Sequence, residues 1–408
     1  MTSTSTAASA PTRSGLLILG LCFLTALCEG FDVQAAGVTG SGVAHAFHVA
    51  PRALGWFFSA SNIGLLFGAA VGGRLSDRFG RRLVLVASLA VFGAFSLATA
   101  TAQDLNTLTL FRLLTGLGLG GALPNAIAIT ADYGGLSPRS GHIAIGYFGM
   151  PLGGAVASAL TVVLPPDHWR EVFVMGGVSP LITAAAVLTL MPSGVGGLDA
   201  EPAARAAPPA SVVQALFGEG RAMRSVALWL GFFLMALALH LMLNWLPLLL
   251  QAQGLSKSQA ALAQVGFNLG GAACALGVGA LMDTAWRRPA ITAAVVALPA
   301  LLLGLAAMHG PAIMSLAVVL GGAVLAVQVV LYALAGALYP QAVRGTGLGV
   351  GVAFSRVGSV AGPAFAAVLL ASGGSAAQVL TGLLPIALIG GACVLALGWR
   401  RGPLEGVD

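Results

Sequence analysis

Apolar stretches of twenty residues or more recur along the chain with only short polar punctuation between them. They fall at 15–40, 53–75, 83–102, 105–132, 140–164 and 171–191, and again at 224–252, 258–282, 289–308, 311–338, 345–372 and 376–399. One helix crossing a bilayer needs ~20 apolar residues. The pattern therefore predicts an all-α polytopic membrane protein with 12 transmembrane helices. The longest polar interruption, 192–223, separates six spans from six. The expected organisation is a disordered tail (1–14), a first six-helix bundle (15–191), a cytoplasmic linker (192–223), a second bundle (224–400) and a C-terminal tail (401–408). The apolar run behind Arg13 has the look of a secretory leader. It continues past Glu29 and Asp32 to Val43 with no convincing cleavage site, and so reads as the first span.

Composition sharpens this picture. Of 408 residues, 58% are hydrophobic and 8% charged, against about 25% charged in an ordinary soluble domain. So few charges cannot cover a soluble chain of this length, which excludes a soluble enzyme, a nucleic-acid binder and a disordered protein. The net charge of +6 comes from 19 basic residues. With the N-terminus placed inside, fourteen of them fall on inner segments, three (Arg52, Arg170 and Lys257) on outer ones, and two (Arg112 and Arg356) within spans. That bias puts both termini in the cytoplasm and accounts for the basic balance without nucleic acid. Cys22, Cys28, Cys274 and Cys393 all lie in apolar runs without metal-ligand or disulfide spacing, and are expected to be small buried residues.

The two halves repeat. Val71-Gly72-Gly73-Arg74-Leu75-Ser76-Asp77, followed by Arg81-Arg82, is echoed 206 residues later by Gly277-Val278-Gly279-Ala280-Leu281-Met282-Asp283, followed by Arg287-Arg288. Tyr133 and Arg139 have counterparts at a similar offset in Tyr339 and Arg344. Two matches at one offset, both on inner loops, predict two pseudo-symmetric six-helix bundles with a binding site between them near the midplane.

Gly73-Arg74-Leu75-Ser76-Asp77-Arg78-Phe79-Gly80-Arg81-Arg82 resembles the major facilitator signature of the loop between helices two and three. The physical reading is that Gly73 lets helices approach and the arginines anchor at an anionic leaflet. Asp77 can face the positive start of a neighbouring helix. The resemblance implies that Asp77 meets the start of helix eleven near Arg344 and acts on a gate. Gly73, Asp77, Arg78, Gly80, Arg81, Asp283, Arg287 and Arg344 are accordingly gating candidates.

Glu29-Gly30-Phe31-Asp32 resembles the acidic motif of the aromatic acid:proton symporter family, with Glu where that family usually has Asp. The Arg112–Gly120 segment with Pro124-Asn125, Asn244-Trp245-Leu246-Pro247, and the stretch from Tyr339-Pro340 through Arg344 to Arg356-Val357-Gly358 are similar to further motifs of the family. Helix one, with Gln34-Ala35-Ala36-Gly37, looks closest to the 3-(3-hydroxyphenyl)propionate branch. The resemblance covers essentially the whole chain. It implies a proton-coupled importer of aromatic carboxylates in a bacterial-type inner membrane, monomeric and without cofactor or metal. An importer of another organic acid and an efflux antiporter are the alternatives. The segment Gly146–Pro151 departs from the drug-antiporter pattern. A membrane-embedded enzyme is disfavoured, because the six histidines are scattered, and Lys257 is the single lysine with no phosphate-binding loop around it.

A charge in the middle of a span costs at least ~2.5–3.5 kcal/mol unless paired or hydrated. Glu29 and Asp32 are spaced i, i+3 and share a face. Asp32 stands ~25 Å up helix one, Arg112 ~10 Å below the outer end of helix four, and Arg356 ~17 Å up helix eleven. The depths of Asp32 and Arg112 roughly agree, and the resemblance implies that helices one and four are neighbours, so an Asp32–Arg112 pair is expected. Asp32, helped by Glu29, is the expected proton carrier. Arg112 and Arg356 are the expected holders of the substrate carboxylate. Asp132 reads as a structural cap. His240 is a candidate donor to a phenolic oxygen. Phe31, Trp245, Tyr147 and Tyr332 are candidates for an aromatic wall, with Asn125 and Asn244 beside them.

Overall fold

The computed structural model describes residues 13–133, 141–192, 216–218, 220–282, 284–308, 310–339 and 344–399. The helices of the first half are α1 (Arg13–Ala46), α2 (Gly55–Phe79), α3 (Arg81–Thr101), α4 (Leu105–Tyr133), α5 (Gly141–Val163) and α6 (Trp169–Leu190). Those of the second are α7 (Ala222–Ala252), α8 (Lys257–Leu281), α9 (Arg287–Ala307), α10 (Ala312–Leu338), α11 (Arg344–Ala371), α12 (Ala376–Gly382) and α13 (Leu384–Gly398). Taking α12 with α13, eleven spans are long and apolar enough to cross a bilayer, and α5 adds the apolar stretch Phe148–Val163. The fold is all-α, as the hydrophobic pattern predicts.

The helix pairings recur at an interval of six. Helix α1 packs on α5 as α7 packs on α11, and α2 packs on α4 as α8 packs on α10. This is the pseudo-symmetry that the 206-residue repeat predicts. An even number of spans brings the chain back to its starting side, called the terminal face below. The opposite side is the far face.

Two boundaries differ from the sequence expectation. Helix α1 runs six residues beyond position 40 to Ala46; the segment 41–46 contains no proline, and its single Gly42 is tolerated within the helix. The last span breaks at Leu383. Pro385 stands in the first turn of α13 and has no N–H to return to the preceding turn. Serine capping boxes start α8 at Ser256–Gln259 and α12 at Ser375–Gln378. Cys274 is exposed, not buried as expected, whereas Cys22 and Cys28 are buried.

Small residues set how closely α2 and α4 pack. A Cβ on Gly64 would lie 2.0 Å from the Leu113 carbonyl, one on Gly68 2.2 Å from the Leu117 carbonyl, and one on Gly116 2.1 Å from the Ser61 carbonyl. This is a small-residue stripe of the kind that joins membrane helices, which gain no hydrophobic drive from lipid. Gly73 differs from its expected role. A Cβ there would meet nothing within 4 Å, and it is Gly72 that faces the Gly121 backbone at 2.7 Å. Gly116→Ala is expected to cost ~1–3 kcal/mol through overpacking. It should also displace Ser61, which touches the charged centre described below. The checks are the melting temperature of detergent-purified protein and the initial rate of uptake. Unchanged values for both would show that the crossing is not close-packed.

The halves meet through α1 on α7, α2 on α11 and α5 on α8. The cross-half hydrogen bonds among the described residues lie on the far-face side. Ser59 Oγ donates to the Val360 carbonyl at 3.0 Å, Lys257 Nζ to the Leu164 carbonyl at 2.7 Å, and Gln34 joins α7 and α8. A Cβ on Gly277, Gly336 or Gly349, nearer the terminal face, would meet nothing within 4 Å.

Candidate functional site

Four charged side chains stand within the spans among the described residues near the middle of the molecule: Glu29 and Asp32 on α1, Arg112 on α4 and Arg356 on α11. Asp32 and Arg112 form the expected pair. Arg112 Nη1 donates to Asp32 Oδ1 at 2.6 Å, and both side chains are 0% exposed. Arg112 Nη2 donates to the Asp32 backbone carbonyl and to Ser61 Oγ, each at 3.1 Å. The guanidinium carbon lies 5.5 Å from the centre of the Phe173 ring, within cation–π range. Arg112 is thus held from α1, α2 and α6 at once. Ser61 and Phe173 were not legible as its partners in the sequence. Their only signal was a serine and an aromatic at compatible depths.

Glu29 is in the opposite condition. It is buried, and neither carboxylate oxygen has a hydrogen-bond partner among the described residues. The charges that act on it are those of Arg356 and Asp32. Arg356 acts on it electrostatically from the other half; that residue is partly buried and makes no hydrogen bond or ion pair with a described side chain. His240 on α7 also feels the Arg356 charge. Its Nδ1 lies 3.0 Å from the Ala236 carbonyl, so Nδ1 carries the donated hydrogen and Nε2 is left as an acceptor. Glu29, across the interface, and His240, on the same half, thus both lie within the electrostatic reach of Arg356.

Other residues singled out in the sequence take packing positions. Phe31 is buried, its ring facing Gly176 of α6. Trp245 is fully buried, not on a cavity wall; its indole N–H donates to the Pro363 carbonyl at 3.0 Å and its ring meets Phe58 edge-on at 5.0 Å. The amides of Asn125 and Asn244 donate to carbonyls one turn back on their own helices, at Gly121 and His240, both at 2.8 Å. Half-buried Tyr332 lies edge-on against Phe232. The reason is common to all: a helix interior in lipid offers buried polar and aromatic groups intrahelical or interhelical partners before it offers a cavity.

At the terminal face, Gly80 has φ 84°, the left-handed region, and closes α2 by donating to the Ser76 carbonyl. Arg81 reaches the Ala128 carbonyl of α4, and the Arg78 guanidinium stands 5.3 Å from the Phe79 ring. Asp77 is exposed at the end of α2. Arg287 opens α9, with its Nε buried and unpartnered. Arg344 opens α11. Its side chain, the side chains of Tyr147 and Asp132, and the whole of Asp283 lie outside the described residues, so the expected Asp77 contact is not among those observed.

The profile of the Major Facilitator Superfamily matches residues 22–317. The chain is 40% identical to the 3-(3-hydroxy-phenyl)propionate transporter of Escherichia coli (strain K12), covering 99% of this chain and 98% of that one. It is 30% identical to the 4-hydroxybenzoate transporter of Pseudomonas putida, over 93% and 91% of the two chains. Among solved structures, a nucleoside transporter, NupG, superimposes with a TM-score of 0.75 at 12% identity, covering 93% of this chain and 99% of that one. At that identity the likeness concerns the fold alone.

Proposed function

The chain belongs to the major facilitator superfamily, and on that premise we propose that it is a proton-coupled importer of aromatic carboxylates of the hydroxyphenylpropionate, hydroxybenzoate or benzoate type. It works by alternating access in a bacterial inner membrane, with both termini in the cytoplasm. The inner-loop bias of the arginines supports that orientation. With the terminal face inside, the cross-half hydrogen bonds hold the outer side together.

The observation that carries the reading is buried Glu29, whose carboxylate has no hydrogen-bond partner among the described residues, within the electrostatic reach of Arg356, which pairs with no described side chain. A carboxyl out of water and without a hydrogen bond is carried as the neutral acid, because an isolated buried anion costs far more. Neutral Glu29 leaves Arg356 free for a substrate carboxylate. When the proton leaves toward the cytoplasm, the Glu29 carboxylate competes for the same guanidinium and displaces the substrate. Asp32 and Arg112, fully engaged with each other, hold α1 against α4 and keep Glu29 at its depth. This assigns the anion site to Arg356 and the moving proton to Glu29, and gives Asp32 and Arg112 a positioning role.

The test is uptake by proteoliposomes under an imposed pH gradient, across labelled benzoates, hydroxybenzoates and phenylpropionates. Accumulation of at least one unmodified acid, collapsing with the gradient, is the expected result. Folded protein that accumulates none of them would sink the assignment. For Arg356→Lys, the ammonium keeps the charge but loses the planar fork. The expected result is a rise in apparent KM of about tenfold or more, the worth of one hydrogen bond to a charged group, ~1.5–3 kcal/mol. Wild-type kinetics in this variant would remove Arg356 from the anion site.

A further inference from the structure

Proline 247 leaves a mark on its own helix. In α7 the carbonyl of Leu243 would ordinarily accept the N–H of residue 247, and proline has none. The carbonyl is instead satisfied from the other half of the molecule: Gln34 Nε2 on α1 donates to it at 2.7 Å. That bond determines the rest of a buried amide cluster. With Nε2 committed, Gln34 Oε1 must accept, and it does so twice, from Gln264 Nε2 and from Asn268 Nδ2 on α8, both at 3.1 Å. Gln34, Gln264 and Asn268 are all buried. One turn along α1, a Cβ on Gly37 would lie 2.3 Å from the same Leu243 carbonyl, so the glycine lets the α1 backbone settle against the orphaned peptide. Every side-chain bond of Gln34 thus crosses between the halves, on the far-face side of Glu29.

We propose that Gln34 is the latch of the far-face closure, with the proline-orphaned carbonyl of Leu243 as its principal receptor. The inference rests on the alternating-access reading above and adds to it the residue that sets the balance between the two states. Opening the far face separates α1 from α7 and α8, so it breaks all three Gln34 bonds together. Water can replace them only once the interface has parted. Gln34→Leu keeps the approximate volume, removes all three bonds and leaves the Leu243 carbonyl orphaned. The closed state loses its latch and the population moves toward the far-open state. Pro247→Ala attacks the same contact from the receptor side. It restores an N–H at 247 that competes with Gln34 for the Leu243 carbonyl.

The readout is labelling from the far side. Thr161, 4% exposed, lines a narrow crevice at the far face. In the full-length protein with Cys274 and Cys393 changed to Ser, Thr161→Cys reports opening through its rate of reaction with a membrane-impermeant maleimide. Gln34→Leu should raise that rate about tenfold or more, because the closed state alone loses three buried hydrogen bonds. Its far-side apparent KM for uptake should fall, because more carriers wait open to that side, while kcat falls because closure is slower. A merely structural lesion would lower kcat without raising labelling or lowering KM. Pro247→Ala should raise labelling too, and adding Gln34→Leu to it should raise it by a smaller factor than in the parent. Unchanged labelling in folded Gln34→Leu overturns the latch. Should that variant fail to fold, unchanged labelling in Pro247→Ala overturns it equally, as does full additivity of the two changes. The failures are separable: normal uptake with unmoved labelling ends the latch alone, whereas labelling that moves as expected in a protein that transports no aromatic acid ends the transport assignment alone.

Discussion

Glu29→Gln is expected to abolish uphill accumulation of substrate while leaving exchange of internal for external substrate intact. The amide copies the neutral acid in size and shape but cannot release a proton. Arg356 then stays available to the substrate carboxylate in both orientations of the carrier, so loaded carriers still cycle. The empty carrier cannot complete the step that returns it in the proton-linked cycle. One proton entering with a monoanionic acid moves no net charge, so the membrane potential adds little and a pH gradient drives accumulation by ~1.4 kcal/mol, or about tenfold, per pH unit. The variant should lose that whole factor. Two measurements on the same vesicles decide it: steady-state accumulation at imposed gradients of one and two pH units, and efflux of preloaded label on adding external substrate. Accumulation that still tracks the gradient in Glu29→Gln would move the proton to another group, with Asp32 next in line.

The second large effect belongs to the Asp32–Arg112 pair. Either partner left alone is a charge buried at 0% exposure without its counter-ion. Breaking such a pair from one side costs ~3–5 kcal/mol, most of it the penalty on the survivor. Asp32→Ala and Arg112→Leu are each expected to reduce folded yield sharply and to lower the melting temperature of what remains. The double variant carries no stranded charge and should recover much of the stability while staying inactive, because α1 is no longer held at its depth. Thermal unfolding of the wild type, both singles and the double closes the cycle. Additive losses would mean that the two side chains do not stabilise one another, and the positioning role would fall with them.

Part of the charged centre is legible in the sequence. Residue counting along the helices puts Asp32 and Arg112 at one depth, and the pair forms. The same counting could not separate Glu29 from Asp32. An i, i+3 step turns ~300° around a helix, so the two carboxylates point about 60° apart. That angle is enough to aim Asp32 at Arg112 on α4 and to leave Glu29 outside the pair. The orientation of the aromatic candidates is hidden for a related reason. Trp245 and Phe31 are recognisable as motif members, but nothing in a motif says whether a ring faces a cavity or a neighbouring helix. Here Phe58 and Gly176 are the neighbours that receive them.

The order of residues alone determines that this chain lives in a membrane, that it crosses it twelve times and that its halves repeat. These follow from the length and spacing of apolar runs and from self-similarity, which are properties of one dimension. It also determines that four charges lie where charges are costly. Only the tertiary structure decided that Glu29 has no hydrogen-bond partner among the described residues, that Gly72 rather than Gly73 makes the close approach at the end of α2, and that a carbonyl freed by Pro247 is taken by Gln34 some two hundred residues away. Helical periodicity gives each residue a height and an angle on its own helix. Partnership also needs the rotation and approach of the helix opposite, and these are set by how small residues let the backbones close and by which buried polar groups must then be satisfied.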